Sequence, residues 1–443
     1  MNRHFRICRM IAAVLLMSMA TLRGAEPPPS KAQVISEMQP YAGPTAAGVD
    51  RSTLTGKVMA GYQGWFTAPN DGSDQPWKHY ASNGEFRPGK CKFDLWPDVS
   101  ELDEDEKYPT AFKHADGSTA YVFSSHNPKT VLRHFRWMQE YCIDGVFVQR
   151  FAVSTGSPLD LRHCDTVLSS CRAGANQFGR CYAVMYDLSG LRAGGTDRVI
   201  QDWKLLVDNM RIGHDPGDPA YLRHNGHPVV AVWGVGFNDN RAYTLADCDR
   251  LVDFLKNDPK YGGNTLMLGV PTGWRTLDRD SIPDPALHAT LLKADIISPW
   301  TVGRYDSPES VQRHAARCWG PDIAWCKDHG REYLPVVFPG FSWKNMYPDK
   351  GKPIPRLKGQ FLWEQYVEAK RAGATMIYQA MFDEIDEGTA IFKCTNDPPV
   401  GDSQFVTFEG LPSDYYLWLT GMGGKLLTGA IEISPQVPTR PQK

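Results

Sequence analysis

Thr375-Met376-Ile377-Tyr378-Gln379-Ala380-Met381-Phe382 is an apolar run that breaks straight into Asp383-Glu384-Ile385-Asp386-Glu387-Gly388-Thr389, four carboxylates in five residues. A short apolar run bounded this sharply reads as a strand covered on both faces, as in a parallel sheet with helices outside it. Seven further segments share the character: 57–62, 143–149, 180–186, 228–235, 264–270, 295–299 and 333–338. Helical patterns lie between them. Val199, Trp203, Leu206 and Met210 form a stripe behind Thr196 as a candidate N-cap. Leu245, Cys248, Leu251, Val252 and Leu255 follow Thr244 in the same way, and Phe361, Leu362, Gln365, Tyr366 and Ala369 make a third, weaker stripe. Strands alternating with helices predict an α/β chain folded as a (β/α)8 TIM barrel, whose chemistry belongs at the C-terminal strand ends. The rival, an open doubly wound sheet, lacks a strand-Gly-x-Gly-x-x-Gly-helix signature.

The longest insertion, residues 63–142, separates strands one and two. It predicts a hairpin from Ala111 to Ser125 turning at Asp116-Gly117, and it carries the acidic run Glu101 to Glu106. A calcium site using Asp94, Asp98, Asp103 and Asp105 is a minor reading, because the spacing is not that of an EF-hand loop.

Arg3, Arg6 and Arg9 precede an apolar run from Met10 to Ala20 and small residues at Gly24-Ala25. That order is the pattern of a secretory signal over residues 1–25. The run is too short to span a bilayer, so the mature protein is expected to have no integral membrane segment and to be exported, to the periplasm or the extracellular space. Residues 26–45, with Pro27-Pro28-Pro29, read as a mobile leader, 46–432 as the barrel domain, and 433–443 as a flexible tail. The chain has ten cysteines. Loss of Cys8 with the signal leaves an odd number, against a complete disulfide framework; one or two bridges stay open.

The chain balances 48 basic against 50 acidic residues, and no Lys/Arg cluster offers a phosphate-tracking surface, which argues against nucleic acid. Thirteen Trp and eighteen Tyr suit stacking on sugar faces as well as core packing. Aromatic or polar groups recur at the predicted strand exits: Tyr62 and Trp65, then Gln149 and Arg150, Asp187, Trp233, Trp274, Trp300 and Trp343. These are candidate contacts to a glycan. At the eighth exit, Glu384 and Glu387 would point to opposite faces of a pleated strand, since three is odd. They share a site only if the chain turns there. A helix-like turn brings i and i+3 to roughly 5–6 Å between Cβ atoms, near the roughly 5–5.5 Å separation of two carboxyls acting on one sugar bond with retention. Gly388 suits the tight exit from such a turn. Crowded carboxylates repel, which raises at least one pKa and keeps a proton available near neutral pH. Asp383 and Asp386 are expected to line the same subsite. No metal or other cofactor is expected, because no His lies in the cluster and carboxylates suffice as proton carriers.

Glu384-Ile385-Asp386-Glu387-Gly388-Thr389, with Gly61-Tyr62-Gln63-Gly64-Trp65-Phe66, resembles glycoside hydrolase family 99 and its relatives in the mixed 71/99-like group, over about residues 50–430. The resemblance implies an exported (β/α)8 glycosidase, in family 99 an endo-acting α-mannosidase or α-mannanase that retains configuration. It also implies roles: Glu384 assists deprotonation of the sugar 2-hydroxyl and Glu387 protonates the leaving oxygen, through a 1,2-anhydro-sugar. Family 99 has Asn before the first Glu and Trp-His between the two, where this chain has Asp383 and Ile385-Asp386. The Gln63-Gly64-Trp65-Phe66 and Gln149-Arg150-Phe151 stretches fit the 71/99-like relatives better. Those relatives carry xylosidase or arabinosidase labels, so a substrate other than mannan is the alternative. A barrel that binds glycans without cleaving them is the other.

If the signal is read correctly, the exported protein begins near Gly24-Ala25. Intact-mass measurement of secreted material checks this, and a mature chain beginning at Met1 would contradict it.

Overall fold

Parallel ladders link each barrel strand to the next. The strands are β1 (Val58–Tyr62), β2 (Gly145–Phe151), β3 (Cys181–Asp187), β4 (His227–Trp233), β5 (Thr265–Val270), β6 (Ile296–Pro299), β7 (Glu332–Tyr333 and Val336–Val337) and β8 (Ile377–Gln379). The computed structural model describes residues 28–350 and 352–441; the signal expected over 1–25 lies outside the described residues.

The ring closes through β7. Its first half pairs with β6 and its second with β8, and β8 returns to β1 with Val58 opposite Ile377. Pro335 sits at the break. It has no N–H for the β6 side, and its carbonyl accepts from Tyr378 N at 3.0 Å on the other. The chain therefore changes partner with its polar groups satisfied. The expected (β/α)8 barrel is the observed fold, with helices Pro158–Phe178, Thr196–Met210, Leu245–Asn257 and Gln360–Ala372 on its outside.

The N-cap at Thr244 forms, in a capping box with Asp247. Thr196 does not cap its helix. Gly195 takes that place, and Thr196 Oγ1 donates to the Asp247 carbonyl at 3.1 Å. The hairpin in the insertion pairs Tyr108–Lys113 with Thr119–Val122. The nine described cysteines are free.

The described residues of both terminal segments make contacts with the barrel domain. Within the leader expected over 26–45, Lys31–Glu37 is a helix capped by Ser30, and Val34 and Met38 are buried in the core. Tyr41 N donates to Asp215, and Arg172 donates to the Gln39 carbonyl. At the other end Trp363 Nε1 donates to the Ser434 carbonyl at 2.9 Å, and Arg440 grips both oxygens of Asp414 at 2.6 and 2.7 Å.

Side-chain alternation decides what each strand exit presents. Gln149 and Phe151 face the barrel mouth, so Arg150 between them faces the helix layer. There it is buried and binds Asp202 at 2.5 and 2.7 Å and Asp165 at 2.7 Å, while Tyr186 Oη donates to Asp202. Breaking a buried ion pair from one side leaves an uncompensated charge, at about 3–5 kcal/mol. Arg150→Met is therefore expected to lower unfolding free energy by about that amount in urea titration. A loss within experimental error would contradict the assignment of a structural triad.

Candidate active site

The chain leaves β8 and turns at residues 385–388, as the spacing of the glutamates demands. Gly388 adopts φ 66° there, and a Cβ on it would lie 3.0 Å from Ser342 N. Ser342 N donates to the Glu387 carbonyl at 2.8 Å, and the Glu384 carbonyl accepts from Thr389 N and Ala390 N. Ile385 is fully buried and anchors the turn in the core. The insertion closes over it: Asp94 N and Leu95 N both donate to the Ile385 carbonyl. Asp94 is not part of the acidic group, among the described residues, whose oxygens lie within 4.8 Å of one another, which is Asp103, Asp105 and Glu106. Its carboxylate takes Lys344 N and Asn345 N, while Asp103 and Asp105 hold Lys129.

The turn sorts the four carboxylates into two i,i+3 pairs. Glu384 and Glu387 line one cavity of about 190 Å³ with Trp65, Gln149, Asp187, Trp233 and Trp300. Asp383 and Asp386 point elsewhere, contrary to expectation. Asp383 is fully buried and accepts from Gln63 N at 2.7 Å and Gly64 N at 2.8 Å, tying the β8 turn to the end of β1. Asp386 Oδ2 lies 3.0 Å from His79 Nδ1, and His79 stacks flat on Trp65 at 3.8 Å.

Gln63 carries the link into the cavity. Its Nε2 donates to Glu384 Oε1 at 2.5 Å, and Thr389 Oγ1 donates to Glu384 Oε2 at 2.6 Å. Glu387 has no such pair of donors; the indole N–H of Trp343 faces it without a hydrogen bond of normal geometry. Burial dominates the electrostatics. It pushes Asp383 up to about 7 against the pull of the Gly64 and Gln63 amides, and Asp386 up to about 8. Glu384 rises well above the usual carboxylate range through burial, then through Glu387 and Asp386. Glu387 rises to about 8 through burial, then through Asp386.

Several expected contacts fall outside the cavity. Tyr62 follows Gly61 and so points outward, where its hydroxyl meets His134 Nδ1 at 2.9 Å. Arg150 is out for the same parity reason. The chain after β5 folds outward, and Trp274 is buried edge-on against Trp325 at 4.9 Å. Trp343 packs on Phe341 and Tyr347 beside Glu387 but does not line the cavity. Residues the sequence reading missed as contacts are Gln63, Phe151, Met185 and Ser189. Alternation from Gly61 and Arg150 would have found the first two. Beyond Trp233 a larger cavity, about 330 Å³, surrounds Arg241 and Phe237; it includes neither catalytic candidate.

Neither a protein-family model nor a curated protein matches the sequence. Solved structures do. The GH99 endo-α-mannosidase from Bacteroides thetaiotaomicron, in complex with BIS-TRIS-Propane, superposes with a TM-score of 0.61 at 18% identity, covering 85% of this chain and 99% of that one. The fold is shared. A second structure of the same mannosidase gives 0.62 at 16% identity with the same coverage. A glycoside hydrolase-like protein gives 0.50 at 14%, covering 80% and 98%. At these identities the likeness speaks for the barrel and its extent.

Asp383→Asn leaves Gln63 N or Gly64 N without an acceptor and is expected to cost about 1–3 kcal/mol in urea unfolding. The raised pKa adds a sign. The folded state holds a proton on Asp383 that the unfolded chain releases at about 4, so this contribution is full below that value and lost as pH rises through about 7. The wild type should therefore lose more stability across that window than the Asn variant. Parallel stability–pH curves would contradict the assignment.

Proposed function

We propose that this protein is a glycoside hydrolase that cleaves O-glycosidic bonds in an oligosaccharide or polysaccharide, with Glu387 as proton donor and Glu384 as its carboxylate partner. One observation carries the reading: two glutamates with raised pKa values line a single cavity walled by Trp65, Trp233 and Trp300. The remaining polar surface suits a polyol. Gln63 Oε1, Gln149 Oε1, Trp65 Nε1 and Trp233 Nε1 are buried there without a protein partner, two acceptors and two donors for hydroxyl groups. The solved barrels of the same fold include an endo-α-mannosidase, which supports the substrate class without fixing the sugar. Mannan, xylan and arabinan all remain in the class proposed.

The roles follow from the donors. Burial lifts Glu384 at least as far as Glu387, but two adjacent carboxylates do not both ionise near neutral pH, and hydrogen bonds decide which one does. Gln63 and Thr389 converge on Glu384 and favour its charge. The shared proton then sits on Glu387. It passes to the glycosidic oxygen as the bond to the anomeric carbon breaks, while Glu384 accepts the proton of the attacking hydroxyl. On the family resemblance, that hydroxyl is the sugar's own 2-hydroxyl. We further propose export as the setting for this activity.

The test begins with a panel of α- and β-linked mannans, xylans, arabinans and glucans read by reducing-end release. On the best substrate, Glu387→Gln should slow poor leaving groups by roughly 10²–10⁴ and good ones less. Glu384→Gln should depress both alike, because its contribution does not depend on how easily the aglycone departs. Equal, small losses in both variants with glycan binding intact would make the barrel a binding protein.

A further inference from the structure

The roles assigned so far leave His79 unused. Its backbone is left-handed, with φ 60°, a region that few residues other than glycine occupy and that histidine visits more readily than most. The next residue, Tyr80, is buried in the insertion, where its ring packs on Phe66 at 4.8 Å and its hydroxyl donates to the Phe123 carbonyl at 2.8 Å. With Tyr80 fixed there, His79 takes the left-handed step and meets Trp65 and Asp386.

Each of these contacts limits a different motion. The imidazole lies flat on the Trp65 indole, with 3.8 Å between centroids and 7° between planes. Phe151 and Phe66 meet the same indole tilted or edge-on, at 5.2 Å and 32° and at 6.3 Å and 78°. Among the described residues His79 is therefore the flat backing of a ring that lines the cavity of Glu384 and Glu387. A stack alone leaves a ring free to slide and turn in its own plane. The 3.0 Å contact from Nδ1 to Asp386 Oδ2 removes that freedom. Asp386 is itself fixed in the 385–388 turn and buried, and its other oxygen, Oδ1, meets no partner. A buried carboxyl with one oxygen unpaired is costly, and what its position secures is the imidazole.

Resting on the glycosidase reading above, we propose that His79 is a positioning residue: anchored by Asp386, it fixes the Trp65 ring on which a sugar beside Glu384 and Glu387 stacks. The acidic turn then sets the sugar platform as well as the two glutamates, and the insertion joins them.

The experiment is a double-mutant cycle on the full-length protein with the best-cleaved glycan of the panel, and thermal unfolding reports folding. His79→Asn removes the ring and tolerates the left-handed backbone. His79→Phe keeps a ring without Nδ1, and Asp386→Ala cuts the anchor. Loss of the stack should lower kcat/KM in His79→Asn by about three- to tenfold, chiefly as a rise in KM, with His79→Phe between it and the wild type. Asp386→Ala should also raise KM; the anchor is read there because Asp386 adds to the field on Glu387 and its loss moves kcat by itself. In a Trp65→Ala background the effect of His79→Asn on KM should shrink to within about twofold, since residues that act through one another are non-additive. A KM change that adds in full to that of Trp65→Ala, or no change in a folded His79→Asn variant, overturns the positioning role and leaves the glycosidase reading standing. Failure of both His79→Asn and Asp386→Ala to fold also overturns it, by making the contact structural. Absence of cleavage and of binding on every glycan overturns the reading and the role together.

Discussion

Placing four carboxylates in five residues at the closing edge of a barrel is expensive, because a buried ion loses several kcal/mol of hydration unless something replaces the water. The β8 turn meets this constraint by division. Asp383 receives two backbone amides from the end of β1, and Asp386 receives His79. Glu384 and Glu387 are left on the cavity side, where only Glu384 receives two side-chain donors, and burial, with the neighbouring carboxylates adding to it, raises both pKa values. The two aspartates thus fix the turn that leaves the two glutamates facing one cavity.

The rest of the barrel serves that arrangement. Gly61 has no side chain because a Cβ there would lie 2.1 Å from the Tyr378 hydroxyl oxygen. This close approach lets Phe382 N reach the Gly61 carbonyl at 2.7 Å and sets β1 beside the turn. Gln63 then stands two residues on, facing inward, where it orients Glu384. The insertion covers the turn from above, through Asp94 and Leu95. Partner switching at Pro335 bends β7, and its second half hydrogen-bonds to β8.

Much of this was legible in the sequence. Both-face apolar runs separated by helical stripes gave the barrel, and the three-residue spacing with Gly388 gave the turn. What failed was reading a strand exit as a set of residues instead of an alternating row. Tyr62 and Arg150 are large and polar-tipped, yet each is one step out of phase with the mouth, and each finds its polar partners in the helix layer, His134 for Tyr62 and Asp202 and Asp165 for Arg150. Trp274 was lost to a different cause, a loop that folds outward after β5, which no local pattern announces. The contacts of Gln39 and Ser434 likewise depend on partners far away in sequence, Arg172 and Trp363.

The central claim is that Glu384 and Glu387 are coupled and hold one proton between them at neutral pH. Carboxyl ¹³C NMR of glutamate-labelled protein, titrated in the wild type and in each Gln variant, tests it directly. The account predicts two glutamate signals with midpoints well above the ordinary value of about 4.3, and a lower midpoint for either residue once its partner's charge is removed. Midpoints near the ordinary value, unmoved by substitution of the partner, would contradict it.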